Sequence, residues 1–89
     1  MTNSMISSPS PYAAYLRELR RYDVKLTFAE MATLTAAADA QLFGDDVPAV
    51  KAAEALLGDL RGTRFEPSAV DELSALLAAI EPVAALAAV

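Results

Sequence analysis

Placed at about 100° per residue, Tyr12, Tyr15, Leu16, Leu19 and Tyr22 fall on one face of a helix, and Arg17, Arg20 and Arg21 fall on the other. The pattern predicts an amphipathic helix over residues 11–23. Ser10 is placed to cap it, and Pro11 occupies its first position, where the missing N–H costs nothing. Residues 28–43 form a second predicted helix, opened by "TFAE", Thr27 to Glu30, a capping box, and stopped by Gly44 as a left-handed residue. Its apolar stripe reads as Phe28, Met31, Leu34, Ala38 and Leu42. A third helix is expected over 47–61, capped by Asp46, with Pro48 in its first turn, Gly62 past its end, and Val50, Ala53, Leu56, Leu57 and Leu60 on its inner face. The fourth is expected over 67–81, burying Val70, Leu73, Leu76, Leu77 and Ile80, with Pro82 breaking it.

Outside these segments the periodicity disappears. Residues 1–10, "MTNSMISSPS", carry no structural repeat and are expected to form a flexible arm. Residues 83–89, "VAALAAV", hold no charged side chain, so they are expected to fold back onto the domain or to contact another chain, through Val83, Leu86 and Val89. Short connections and the lack of strand alternation give an all-α protein, a small three- to four-helix bundle over residues 11–89.

Composition supports that reading. Of 89 residues 55% are hydrophobic and 21% charged, which is too apolar for intrinsic disorder, and twenty are alanine, the best helix former. Alanine enrichment also follows from a GC-rich genome and points towards a bacterial or phage source. The large apolar side chains are few for a chain this short, so association with a second copy or a protein partner is expected to supplement the core.

The chemistry-bearing residues are sparse. There is no histidine, the usual acid–base group at neutral pH, and no cysteine, so disulfides and thiolate metal sites are excluded. No Glu-x-x-His or Glu-x-x-Glu pair suits a carboxylate-bridged metal site, and Gly44, Gly58 and Gly62 satisfy neither phosphate-binding glycine motif. No catalytic, cofactor or metal site is expected. The amino-terminal residues read as no secretory signal and no apolar run is long enough for a membrane span, which makes the cytoplasm the expected compartment.

The run Gly44-Asp45-Asp46-Val47, ahead of the third helix, resembles the Gly-x-Asp-Ser-Leu motif of the acyl and peptidyl carrier proteins, acidic four-helix domains of this size. Asp46 stands where that family carries the serine that bears phosphopantetheine. The resemblance, confined to this short run, implies a degenerate carrier-like domain without the prosthetic group; the alternative is a plain capped turn.

Four of the seven basic side chains, Arg17, Arg20, Arg21 and Lys25, lie in "YLRELRRYDVKL", while the chain as a whole has a net charge of -5. The acidic balance, the dilution by Glu18 and Asp23, and the inward phase of the tyrosines argue against nucleic acid. Arg17, Arg20 and Arg21 are therefore candidate contacts to protein carboxylates. Thr35 and Asp39 fall within the apolar stripe of the second helix, where a carboxylate must meet an arginine such as Arg17, Arg61 or Arg64, cap a backbone group, or face water at the stripe's edge. The expected function is a non-enzymatic protein-interaction module: an adaptor, accessory subunit or assembly factor. The alternative is an acidic inhibitor from a phage or mobile element that occupies a basic site on a host protein.

Overall fold

The computed structural model describes residues 10–83. Four helices, α1 (Pro11–Arg21), α2 (Phe28–Phe43), α3 (Val47–Leu60) and α4 (Pro67–Ala79), form the bundle, with one 3₁₀ turn, Asp23–Lys25, between α1 and α2. Each helix packs on its chain neighbours, and α4 closes the ring against α1. The arm 1–9 and residues 84–89, including Leu86 and Val89, lie outside the described residues.

Local signals fix the helix ends. Ser10 accepts from the Ala13 N–H, with Pro11 in the first turn of α1. Thr27 and Glu30 complete their capping box, with the Glu30 N–H donating to Thr27 Oγ1 at 3.0 Å and the Thr27 N–H to Glu30 Oε1 at 2.9 Å. Gly44 closes α2 at φ 71, a left-handed conformation that costs a residue with a Cβ. Asp46 caps α3 at φ 49 by accepting from the Ala49 N–H, so the position that aligns with a carrier serine is an exposed helix cap. Three ends fall earlier than the periodicity predicts. Helix α1 tightens into the 3₁₀ turn after Arg21, α3 stops at Leu60 where Arg61 turns extended, and α4 stops at Ala79. The last follows from Pro82, which disfavours helical backbone at Glu81 before it.

The core is Tyr15, Leu19, Leu34, Leu57, Leu60, Phe65, Val70, Leu73, Leu77 and Ile80, with Ala37, Ala38 and Ala53 fully buried among them. Helices α1, α3 and α4 bury the faces that their sequences predict. Helix α2 does so in part. Leu34 and Ala38 of its stripe are buried and Met31 and Leu42 pack against the core, but Phe28 is 92% exposed and Ala37 and Ala40 are buried instead, so the centre of the buried side is shifted towards the alanines. The reason is proximity: α2 packs most extensively against α3, and small side chains let two helices approach to the short end of the usual 8–10 Å separation.

One end of the bundle is stapled by Arg64. Its guanidinium donates to both Glu30 oxygens, at 2.8 and 2.5 Å, and to the Lys25 carbonyl at 3.1 Å, tying the α3–α4 loop to the start of α2. Beside it the Tyr22 and Phe65 rings lie 4.8 Å apart. The Arg64 hydrogen bonds and, after them, the Thr27 N–H hold the Glu30 carboxyl down at about 2, below its ordinary 4.5. A depressed folded value means that the stabilisation is present above the unfolded value and is lost as pH falls through the folded one. Between pH 4.5 and pH 2 the melting temperature should therefore fall more steeply for the native chain than for Glu30→Gln, followed by circular dichroism; parallel curves would contradict this role for the pair.

Candidate functional site

The exposed residues of α2 are Phe28, Ala29, Ala32, Ala36 and Phe43, and none is charged or polar. On the other three helices the exposed positions include Arg17, Arg20 and Arg21 on α1, Lys51, Glu54 and Asp59 on α3, and Asp71 and Glu72 on α4. A solvated helix face normally carries such groups. The two charged residues of α2 are both drawn inwards and engaged: Glu30 with Arg64, and Asp39 with Tyr12, whose hydroxyl donates to Asp39 Oδ1 at 2.8 Å. The outer strip is thus alanine flanked by Phe28, 92% exposed, and Phe43, 56% exposed, about 22 Å apart along the helix axis.

The Tyr12 bond replaces the arginine partner that was one of the alternatives for Asp39. Arg64 is taken by Glu30, and Arg61 lies 2.6 Å from Asp71. The half-buried Asp39 instead finds a neutral donor across the α1–α2 contact, and its carboxylate, followed by partial burial, pushes the Tyr12 hydroxyl above its ordinary 10.0. One turn further along α1, the fully buried Tyr15 donates to the Leu34 carbonyl at 3.0 Å, and burial raises its hydroxyl too.

Beside the outer strip runs an α1–α2 groove of about 390 Å³, lined by Leu16, Leu19, Arg20, Asp23, Met31 and Thr35. It brings together two residues singled out from sequence, Arg20 and Thr35, and Asp39 lies one helical turn beyond Thr35 on the same helix. Arg17 is exposed and forms no ion pair among the described residues, whereas Arg21 lies 3.3 Å from Glu18, so its charge is partly satisfied on its own helix.

At the opposite end from Arg64, a second groove of about 500 Å³ is lined by Pro11, Tyr12, Leu42, Ala79, Ile80 and Val83, with Ser10 and Glu81 at its edge. Val83 is 39% exposed, and its N–H donates to the Leu42 carbonyl at 2.7 Å, which holds the backbone at Val83 against the end of α2. The outer strip of α2 leaves no pattern in the sequence. By helical phase Phe28 lies with the apolar stripe of the core, and the alanines at 29, 32 and 36 give no signal by themselves. Among the described residues there is no group of three or more carboxylates able to hold a metal ion, and no helix is long and apolar enough to cross a membrane. No family model matches the chain, and no curated protein or solved structure is significantly similar to it.

Proposed function

We propose that this chain is a non-enzymatic protein-interaction module, an adaptor, accessory subunit or assembly factor, whose contact surface is the outer face of α2 with the α1 arginines beside it. The observation that carries the reading is the absence of any charged or polar group among the exposed positions of α2. Apolar surface left in water disfavours the free state, and its burial against another chain supplies roughly 25 cal/mol per Å². Two exposed phenylalanines at the ends of an alanine strip suit a protein surface, since they anchor contacts while the alanines let another helix come close. Arg17 and Arg20 at the edge would favour acidic groups on the other side and set orientation more than affinity.

Affinity capture from the source organism, with the native chain and Ala36→Arg immobilised in parallel, tests this reading. A protein retained by the native chain in about 0.5 M salt, where charge interactions are screened beyond a few ångströms, and lost by Ala36→Arg supports it. Capture that vanishes at that salt and ignores Ala36→Arg contradicts it and favours the acidic-inhibitor alternative.

A further inference from the structure

We infer that the outer face of α2 binds a second copy of this chain, antiparallel, so that Phe28 of each copy lies against Phe43 of the other; the inference rests on the reading of that face as a contact surface. A two-fold contact uses the same patch twice, so the patch must complement itself under reversal. This one does. With the axis between Thr35 and Ala36, the exposed Phe28 meets Phe43, Thr35 meets Ala36, and Asp39 lies over the small Ala32 of the second copy. The large residues fall at the ends and the small ones at the centre, where the two helices must be closest.

Charge selects the direction. Asp39 sits on the α1 side of α2, where Tyr12 holds it, and Arg20 sits on that side too, in the groove with Met31 and Thr35. Reversal about the axis carries the level of Met31 and Thr35 towards that of Asp39, so Arg20 of each copy approaches Asp39 of the other. Arg20 forms no ion pair among the described residues, and Asp39 accepts only from the neutral Tyr12 there, so each has capacity for the other. A parallel two-fold contact would instead set the α1 flank of each copy against the α3 flank of the other, which separates Arg20 from Asp39 and loses the pairing.

The chain has no cysteine, which makes cross-linking clean. Phe28→Cys and Phe43→Cys, mixed and mildly oxidised, should form the mixed disulfide in preference to either self-disulfide, and Ala36→Cys alone should cross-link to itself. Lys51→Cys, exposed on α3, serves as the background. Self-disulfides of Phe28→Cys in excess of the mixed species would overturn the antiparallel arrangement, and yields no higher than the Lys51→Cys background would overturn the second copy as the occupant. Arg20→Glu and Asp39→Asn, which keeps an acceptor for Tyr12, should each weaken self-association about two- to fivefold, and the double variant should lose no more than either alone. Additive losses would overturn the pairing. An unmodified chain that stays at 9.4 kDa in sedimentation at every concentration overturns the inference without touching the Ala36→Arg capture test, which addresses the face itself.

Discussion

Leu73→Ala should lower the free energy of unfolding by about 2–5 kcal/mol, the usual range for truncating a buried leucine. Leu73 is 0% exposed on α4 and belongs to the cluster that joins Tyr15, Leu34 and Leu57 from the other three helices. Removing its branched end leaves a cavity where those helices meet, and a rigid bundle closes such a cavity only in part. A chain of this size holds about 4–13 kcal/mol in all, so the loss is a large share of the total. Denaturant unfolding followed by circular dichroism should show the midpoint shifted with the slope unchanged. A loss under about 1 kcal/mol would contradict the central position of Leu73.

The second large effect distinguishes the two sides of α2. Ala37→Leu should destabilise by about 1–3 kcal/mol, because Ala37 is fully buried in a helix whose alanines set a close contact, and extra methylenes there force side chains or backbone apart. Ala32→Leu, on the exposed side of the same helix, should change stability by less than about 0.5 kcal/mol when measured on the dissociated chain at low concentration, where leucine is nearly as good a helix former and meets only water. The pair shares one chemical change and differs only in the direction the side chain faces. If Phe28 were buried with the rest of its stripe, Phe28→Ala would be a costly change; with Phe28 at 92% exposure it should be nearly neutral for the dissociated chain.

Much of the architecture was legible in the sequence because it is written in local chemistry. Thr27 and Glu30, Ser10 with Pro11, Asp46 and Gly44 each satisfy or end a helix within four residues, and all act as their spacing implies. The faces of α1, α3 and α4 were legible because large residues mark them. The orientation of α2 was legible only in part, through Leu34, Ala38, Met31 and Leu42, because alanine is equally at home in a tight helix contact and on a wet surface. Only the position of α3 decides between them. Phe65, buried in a loop, lies outside any periodic pattern. Arg64 joins a capping box that was visible, but through partners 34 and 39 residues away. Asp39 falls by helical phase near the edge of the α2 stripe, and it is half-buried there. Its partner was not legible, because a tyrosine assigned to the core of α1 reaches it before any arginine does.

The contact surface on α2 can be located directly by following backbone amide chemical shifts as the chain is diluted from a concentration at which it associates. Concentration-dependent shifts should gather on Phe28, Ala29, Ala32, Ala36 and Phe43 and on Arg20 beside them, and should vanish in Ala36→Arg. Shifts that gather instead on the charged faces of α3 and α4, around Glu54, Asp71 and Glu72, or that persist unchanged in Ala36→Arg, would contradict the assignment of the outer face of α2 as the surface by which this protein meets another chain.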